Sequence, residues 1–244
     1  MKVVCIVQAR VGSTRLPGKV LKQICGKTVL EHDIDRLKRV KNIHEIVIAT
    51  TTLEKDNDIV KECERLGVKY FRGSEEDVLS RYYYAAEQNN ADVVVRVTSD
   101  CPLIDSEVSE DIVEFYLDNK DKYDYVSNTI ERTYPRGLDT EVFSFKALEK
   151  AFNEAISERY REHVTPYIWH NPKVFRLAQY KNSQDYSDLR WTLDTEEDFE
   201  LIDKIYNLLY PNMHSKFQFQ NILSLYHKYP ELYDMNKEIL QKHI

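Results

Sequence analysis

The segment QARVGSTRLPGK, residues 8–19, follows an apolar run at 3–7 near the start of the chain. Consecutive apolar residues ahead of a glycine-containing segment are typical of a buried strand that ends in a loop. The loop holds three cations, Arg10, Arg15 and Lys19, among small residues. Guanidinium groups bind phosphate oxygens in pairs, lysine adds a point charge, and glycine lets backbone N–H groups approach an anion. The segment therefore predicts a polyphosphate site at the end of the first strand.

Two other interpretations of this loop compete with a polyphosphate site. A P-loop has four residues between its glycines and a Ser or Thr after its lysine. Here five residues separate Gly12 from Gly18, and Val20 takes the position of the hydroxyl residue, so the P-loop pattern is not met. The second interpretation is a solvated basic turn without a ligand, which the preceding strand and the glycine spacing disfavour.

The first half of the chain alternates between strand and helix patterns. Apolar runs that predict further strands lie at 45–49, 68–71 and 91–97. Helical patterns lie around them: one begins at Thr28, one ends at Gly67, one follows the capping segment 74–77, and one covers 106–117. Such alternation with apolar strands predicts an α/β fold with a mainly parallel sheet sandwiched by helices.

The second half of the chain is less regular than the first. Residues 138–145 and 174–180 have strand patterns, and helical patterns dominate from there to the C-terminus. No repeat or low-complexity segment divides the sequence. We therefore predict a single domain over 1–244, with a small α+β portion in its second half.

Three polar clusters fall at the ends of predicted strands: the loop 8–19, the threonine run 50–52, and Asp100. In α/β sheets, ligands bind at the carboxyl ends of the strands. The convergence of three clusters at this edge is stronger support for a ligand site than any one cluster alone.

Composition excludes several classes of protein. The formal net charge of −7 argues against general nucleic-acid binding, which needs a basic surface. The four cysteines are scattered without a C-x2-C pair, which indicates reduced thiols and no disulfide framework or zinc site. No apolar run approaches the roughly 20 residues of a membrane span, and no signal-peptide pattern precedes the first strand. We therefore expect a cytoplasmic protein without a membrane partner.

The loop 8–19 resembles the fingerprint of the CMP-sugar synthetases, such as the 3-deoxy-manno-octulosonate and acylneuraminate cytidylyltransferases. Further segments are similar to the branch of that family named after spore coat polysaccharide biosynthesis protein F. They are residues 71–79 (FRGSEEDVL), 134–143 (YPRGLDTEVF), 161–167 (REHVTPY) and 190–199 (RWTLDTEEDF). The matches run from residue 3 to about 200, and their order makes chance similarity a poor explanation.

The resemblance implies a nucleotide-diphosphosugar transferase-like fold and an enzyme that activates an acid sugar with CTP and Mg²⁺, releasing pyrophosphate. It assigns the nucleotide to 1–130, and the acceptor and a possible dimer contact to 131–244. It further implies that Arg10, Arg15 and Lys19 hold the triphosphate and that 72–74 and 78–79 line a cytosine pocket. The expected nucleotide-binding set is Ala9, Arg10, Ser13, Arg15, Lys19, Thr50, Arg72, Gly73, Ser74, Val78, Leu79 and Asp100.

Asp100 and Asp194 fall where the family places its magnesium ligands. Each also has a structural alternative, because an aspartate near the start of a helix can cap it or favour its dipole. Asp105 or Ser106 is the better candidate to cap the helix after Asp100. Thr195 begins a capping pattern after Asp194, which leaves that carboxylate available as a ligand.

The acceptor is expected to contact Arg136, Asp139, Glu141 and His163. Asp139 and Glu141 alternate along the predicted strand 138–145, so both side chains share one face and can bind hydroxyl or amino groups. A solvent-facing strand edge is the alternative for this pair, and a structural role is the alternative for His163.

Nucleotidyl transfer builds negative charge on the departing pyrophosphate, and fixed cations stabilise that charge. Lys19 and Arg15 are expected to supply this stabilisation, with Arg10 holding the triphosphate in place. A glycosyltransferase of related fold and a non-catalytic nucleotide-binding module are the alternative functions. The first normally carries an Asp-x-Asp motif where this chain has Ser99-Asp100-Cys101. Family members are commonly homodimers, and we expect the same here.

Overall fold

The computed structural model describes residues 1–240. Its strands in this range are β1 (Val3–Gln8), β2 (Gln23–Ile24), β3 (Lys27–Thr28), β4 (Glu45–Thr51), β5 (Lys69–Gly73), β6 (Val93–Thr98), β7 (Tyr125–Ser127), β8 (Glu141–Ser144) and β9 (Leu177–Gln179). The main sheet has seven strands in the order β5-β4-β1-β6-β8-β7-β9, and β2 and β3 form a separate hairpin.

The helices cover both faces of this sheet. They are α1 (Val29–Leu37), α2 (Asn57–Leu66), α3 (Val78–Gln88), α4 (Ser106–Asp118), α5 (Phe145–Glu154), α6 (Glu158–His163), α7 (Pro166–Trp169), α8 (Glu196–Met213) and α9 (Phe219–Lys228). Within residues 1–240, none of these helices has the length and apolar character that crossing a membrane requires.

The sheet is mainly parallel. β5, β4, β1 and β6 run in one direction, whereas β8 pairs antiparallel with both β6 and β7. At the far edge, β9 is parallel to β7. The predicted α/β class with a mainly parallel sheet is therefore confirmed. The antiparallel strand β8 lies in the second half of the chain, where the sequence predicted a less regular arrangement.

The central strand β1 shows why both faces need helices. Val3, Cys5 and Val7 enter one apolar cluster, and Val4 and Ile6 enter a second cluster on the opposite face. All five side chains are fully buried, as expected of a central strand in a parallel sheet. This packing fixes the loop after β1 at the carboxyl edge of the sheet.

Several predicted ends and caps of elements are confirmed. Thr28 caps α1 by accepting a hydrogen bond from the Glu31 N–H, and Gly67 ends α2 in a left-handed conformation at φ 62°. Asp105 caps α4 with bonds from the Glu107 and Val108 N–H groups. Asp100 therefore has no capping role in α4.

Several predicted strands differ from the observed ones by two or three residues at an end, and the largest consequence is at the start of β8. β8 begins at Glu141, not at residue 138, because the preceding backbone bonds to a side chain. Asn128 donates to the Leu138 carbonyl at 2.7 Å and accepts from the Thr140 N–H at 3.0 Å. Asp139 thus lies in a loop ahead of the strand. The sheet itself joins strands from both sides of residue 130, and the proposed division of roles between 1–130 and 131–244 stays a prediction.

Candidate active site

A cleft of about 330 Å³ opens at the carboxyl ends of β1 and β6. It brings together, from separate parts of the chain, many of the residues expected to bind nucleotide, metal or acceptor. Those at its wall are Ala9, Arg10, Ser13, Arg15, Lys19, Val78, Asp100, His163 and Asp194.

The loop after β1 is held in shape by its own backbone and by one carboxylate. Gly18 has φ 69°, a left-handed conformation that favours glycine, and its N–H donates to the Val11 carbonyl at 3.1 Å. The Val11 N–H donates to Asp56 at 2.7 Å. Leu16 is buried in the core below the loop. These contacts place the cations of the loop along one wall of the cleft.

Lys19 lies between two aspartates that are far apart in sequence. Its Nζ is 2.8 Å from Asp100 Oδ2, 2.8 Å from Asp194 Oδ1 and 2.8 Å from the Leu193 carbonyl. We call Lys19, Asp100 and Asp194 the lysine centre. A loop residue, a strand-end residue and a residue just before α8 thus meet at one ammonium group.

The lysine centre continues into a second layer of charges. Arg15 Nη2 is 2.9 Å from Asp194 Oδ2, and Arg190 Nη2 is 3.1 Å from the same oxygen. Arg190 is in turn held by Asp198, whose side chain also completes the predicted capping box with Thr195. Asp194 therefore has no capping role of its own and faces the cations.

Opposite charges in a buried place shift the pKa values of this centre. Burial raises the pKa of the Asp100 carboxyl, but the charge and hydrogen bond of Lys19 and a hydrogen bond from Thr98 outweigh it, so the pKa falls to about 2. Burial lowers the pKa of Lys19, and the two aspartates more than reverse this, so it is raised. Both groups are charged at neutral pH.

The donor chemistry of the lysine centre fits a magnesium ion. Two carboxylate oxygens already converge on one cation, the Lys19 ammonium, at 2.8 Å each. Mg²⁺ typically binds one or two carboxylates and completes its shell with phosphate oxygens and water. Among residues 1–240, no group of three or more His, Cys, Asp or Glu side chains forms a metal cage. The centre therefore fits an ion shared with a phosphate ligand.

Other residues expected to bind the nucleotide lie outside the lining of this cleft. Arg72 donates to the Thr51 and Leu53 carbonyls at 2.8 and 2.9 Å, and the Ser74 hydroxyl accepts from the Asp77 N–H at 3.0 Å. Leu79 and Thr50 are fully buried. Gly73 packs against the side chain of Arg81 on α3. Their direct contact with a nucleotide stays a prediction.

The residues expected to bind the acceptor fall into two places. Arg136, Asp139 and Glu141 line a smaller cleft of about 160 Å³, which shares Thr98 and Asp100 with the first. Neither carboxylate there is free: Arg132 Nη2 donates to Asp139 at 2.8 Å, whereas Glu141 accepts from Arg96 and from the Tyr125 hydroxyl. Asp139 and Glu141 share this cleft although they do not share a strand.

His163 lies in the larger cleft, at the end of α6. The next residue, Val164, has φ 70° and ψ −62°, and the Thr165 N–H donates to the His163 carbonyl at 2.9 Å. This tight γ-turn is uncommon for a β-branched residue, and the fully buried Val164 side chain holds it in place. Burial lowers the pKa of His163, against the opposing charge of Glu162, so the ring is neutral at pH 7.

Arg81, Thr98 and Glu162 also line the larger cleft, although they are not among the site residues predicted from the sequence. For Arg81 a signal was present. It shares the apolar face of α3 with Val78, Tyr82 and Ala85, at helical spacing, and all four are buried. An arginine on the apolar face of an amphipathic helix needs either a buried partner or a ligand.

Comparison with known proteins identifies the family. The cytidylyltransferase family model matches residues 4–231. An uncharacterised protein of Methanocaldococcus jannaschii is 40% identical over 248 residues, covering 99% of this chain and 97% of the relative. The spore coat polysaccharide biosynthesis protein SpsF of Bacillus subtilis is 34% identical over 208 residues, covering 82% and 85%.

A solved structure agrees with these relatives. A cytidylyltransferase from Leptospira borgpetersenii superimposes with a TM-score of 0.92 at 34% identity, and all of both chains is covered. The chain belongs to the cytidylyltransferase family and is a nucleotidyltransferase. The resemblance inferred from the motifs, including the spore coat branch, is confirmed, and a glycosyltransferase is no longer a competing class.

Proposed function

We propose that this enzyme transfers a cytidylyl group from CTP to a sugar or small acid acceptor and releases pyrophosphate. The observation that carries the proposal is the lysine centre, in which Lys19 contacts two aspartates and Arg15 pairs with one of them, in a cleft at the carboxyl edge of the sheet. Fixed cations beside carboxylates match a ligand that brings phosphate groups and a divalent ion. The family to which the chain belongs supports cytosine as the base.

In this proposal the cations of the loop after β1 and the two aspartates of the lysine centre have different tasks. Lys19 and Arg15 stabilise the negative charge that grows on the leaving pyrophosphate, and Arg10 orients the triphosphate. Asp100 and Asp194 would hold Mg²⁺, which offsets phosphate charge and favours attack at the α-phosphorus. Because Lys19 is anchored on three oxygens, its ammonium is already in position before the ligand arrives.

The smaller cleft is the proposed place of the acceptor. It adjoins the larger cleft at Thr98 and Asp100, so an acceptor there would reach the α-phosphate. Arg136 supplies a positive charge for an acid group, and Asp139 and Glu141 supply acceptors for hydroxyl or amino groups. His163 enters from the side of the larger cleft.

The biological setting belongs to the proposal as well, and the names of relatives support it. The name of the Bacillus relative suggests a role in cell-surface polysaccharide biosynthesis. A cytoplasmic homodimer is the proposed working form. Attack by a sugar hydroxyl would give a CMP-linked product, and attack by an acceptor phosphate would give a CDP-linked one; phosphorus NMR of the product separates these outcomes.

The direct test is thermal shift with CTP, UTP, ATP and GTP in the presence of Mg²⁺. A ligand at about 100 times its dissociation constant adds roughly 2.7 kcal/mol to the free energy of unfolding, which gives a clear rise in melting temperature. We expect CTP to give the largest rise. A preference for UTP or for a purine triphosphate would contradict the proposal.

A further inference from the structure

The Lys19 ammonium lies where the two aspartates of the lysine centre converge. Its Nζ atom is 2.8 Å from Asp100 Oδ2, from Asp194 Oδ1 and from the Leu193 carbonyl. An ammonium has three N–H donors, so these three bonds use all of them. The ammonium therefore occupies the place that an ion bound by both carboxylates would need, and it can donate to a phosphate only by giving up one of these bonds.

The protein also supplies donors to the two carboxylate oxygens that the ammonium does not contact. Thr98 Oγ1 donates to Asp100 Oδ1 at 2.5 Å. Asp194 Oδ2 is 2.9 Å from Arg15 Nη2 and 3.1 Å from Arg190 Nη2. All four oxygens of the two carboxylates thus have a protein donor. A hydrated Mg²⁺ ion gives up its water reluctantly, so it would gain little from carboxylates that are already satisfied.

The charges around the lysine centre balance one another. Three cationic side chains pair with three carboxylates, and these residues are Lys19, Arg15, Arg190, Asp100, Asp194 and Asp198. A divalent ion would bring two further positive charges close to the three cations, which opposes its binding. A triphosphate brings negative charge that offsets the ion and offers the ammonium new acceptors. The arrangement therefore favours an ion and a triphosphate together over the ion alone.

We infer that Lys19 blocks the metal site against free divalent cations, so that the ion enters only together with a triphosphate. This inference deepens the proposed function, because it rests on the magnesium role proposed for Asp100 and Asp194. When a triphosphate binds, the ammonium exchanges carboxylate oxygens for phosphate oxygens, and the carboxylate oxygens that it releases become available to the ion. The same lysine thus sets the order of binding and also reaches the leaving group.

The first test measures Mn²⁺ binding without nucleotide, from the electron paramagnetic resonance signal of the free ion. Mn²⁺ is the probe because it shares the preference of Mg²⁺ for carboxylate and water ligands. We expect Lys19→Met, which lacks the charge, to bind Mn²⁺ about tenfold or more tightly than the wild type. Equal affinity in the variant and the wild type would overturn the inference.

Two further variants locate the Mn²⁺ site that Lys19→Met gains. Lys22→Met is the matched control, because Lys22 pairs with Glu196 outside the cleft, and it should bind Mn²⁺ as the wild type does. Adding Asp100→Asn to Lys19→Met should abolish the gained site, since it weakens one of the two carboxylate ligands. A gain in Lys22→Met, or a gained site that survives Asp100→Asn, would place the ion elsewhere and contradict the role of Lys19.

The second half of the inference is tested on the wild type with tripolyphosphate. Water-proton relaxation detects Mn²⁺ that is bound to the protein. We expect the relaxation rate of a wild-type sample with Mn²⁺ to rise when tripolyphosphate is added, beyond the value for Mn²⁺ and tripolyphosphate without protein. Such coupling is reciprocal, so Mn²⁺ should also tighten the binding of tripolyphosphate to the protein. If tripolyphosphate does not increase the amount of Mn²⁺ on the protein, the inferred joint entry is wrong.

A stability measurement covers the case in which Lys19→Met folds less well than the wild type. Without the ammonium, Asp100 loses its ion-pair partner, and a divalent ion can take its place. Mg²⁺ alone should therefore raise the melting temperature of Lys19→Met, whereas the same Mg²⁺ concentration should leave that of the wild type unchanged. An equal response of the two proteins to Mg²⁺ would contradict the inference.

These outcomes are distinct from a failure of the proposed function. A wild type that prefers UTP or a purine triphosphate over CTP contradicts the proposed function, and the Mn²⁺ result for Lys19→Met does not depend on that preference. A wild type that prefers CTP but binds free Mn²⁺ as tightly as Lys19→Met keeps the proposed function and overturns the blocking role of Lys19.

Discussion

Lys19 and Arg81 line the same cleft, but they differ in whether the protein supplies hydrogen-bond partners for their nitrogen atoms. On one wall Lys19 donates to two carboxylates and a carbonyl, each at 2.8 Å. On the other wall Arg81 has two buried nitrogen atoms without partners among the described residues. A cation already paired by the fold is positioned before any ligand binds. A cation whose buried nitrogen atoms lack hydrogen-bond partners instead carries the cost of their lost hydration.

The difference has consequences for stability as well as for binding. Removing Lys19 leaves Asp100 without its ion-pair partner and leaves Asp194 with Arg15 and Arg190 alone, so the stability of the fold should fall. Removing Arg81 removes two buried nitrogen atoms that have no hydrogen-bond partner among the described residues, so the ligand-free protein should lose less stability than it does on removal of Lys19. The paired wall, which is the one that holds the lysine centre, therefore couples the proposed catalysis to stability.

The largest expected effect is on the paired wall. Lys19→Ala and Arg15→Ala should each lower the rate of pyrophosphate release about 10²-fold or more, since one fixed donor to the leaving group is worth roughly 3–4 kcal/mol. The measurement is steady-state pyrophosphate release. Lys22→Ala is the control, because Lys22 pairs with Glu196 outside the cleft, at 3.3 Å. Wild-type turnover in Lys19→Ala or Arg15→Ala would remove that residue from catalysis.

The structure adds an expectation for stability to this experiment. Lys19 has two ion-pair partners in the structure, whereas Arg15 has one. Lys19→Ala should therefore unfold at a lower denaturant concentration than Arg15→Ala. The reverse order would contradict the view that Lys19 holds the two aspartates together.

A second prediction concerns a buried carboxyl behind the paired wall. Both side-chain oxygens of Asp33 on α1 are buried and have no partner within residues 1–240. Burial, with a contribution from the charge of Asp100, raises its pKa well above the usual value. An unsatisfied buried polar group costs about 1–3 kcal/mol, so Asp33→Leu, which is similar in shape, should raise the free energy of unfolding by about that amount at pH 7.

The raised pKa of Asp33 also predicts the direction in which the stability of the wild type changes with pH. Above the unfolded pKa of about 3.9 the native state keeps a proton on Asp33 that the unfolded chain has lost. The wild type should therefore lose stability as the pH rises from about 4 towards the raised native pKa, and Asp33→Leu should lack this slope. Urea unfolding from pH 4 to 8 measures both. If Asp33→Leu is less stable than the wild type, the prediction is wrong, and Asp33 has a stabilising partner other than the described protein groups.

The parts of the site that could be predicted from sequence are those with local signals. The strand 3–7 and its cation-rich loop are contiguous, and Asp100 follows an apolar strand directly. The pairing of Lys19 with Asp194 crosses 175 positions and is set by where α8 packs, so periodicity alone could not reveal it. The resemblance to the family indicated Asp100 and Asp194 as ligands, but it did not indicate that the Lys19 ammonium lies between them.

Other residues were less predictable because side-chain bonding overrides local pattern. Arg72 is in a family-like segment, yet it donates to backbone carbonyls after β4. Asp139 continues an alternating pattern, yet Asn128 takes the backbone bonds that a strand would need. Arg81 lies on the apolar face of α3. Its position can be found from the sequence when charged residues are mapped onto the helical periodicity.

The smallest expected effect tests the proposed magnesium role of the paired wall. Asp100→Asn and Asp194→Asn keep size but remove a charge and weaken a ligand for a hard cation. Each should need about tenfold more Mg²⁺ for half-maximal pyrophosphate release, equivalent to roughly 1.4 kcal/mol. Asp58→Asn is the control, because Asp58 pairs only with Lys61 on the exposed surface of α2 among the ion pairs of residues 1–240.

The double variant decides whether the two aspartates act through one ion. If they do, Asp100→Asn with Asp194→Asn should be little worse than the worse single variant, since residues that act as a unit are not additive. Independent roles would instead give additive shifts. Both aspartates also hold Lys19, and loss of its positioning would lower turnover at every Mg²⁺ concentration. The informative quantity is therefore the Mg²⁺ concentration for half-maximal activity, and not the maximal rate. A wild-type magnesium requirement in Asp194→Asn would leave Asp194 as an anchor for Lys19 and Arg15 and Asp100 as the protein ligand.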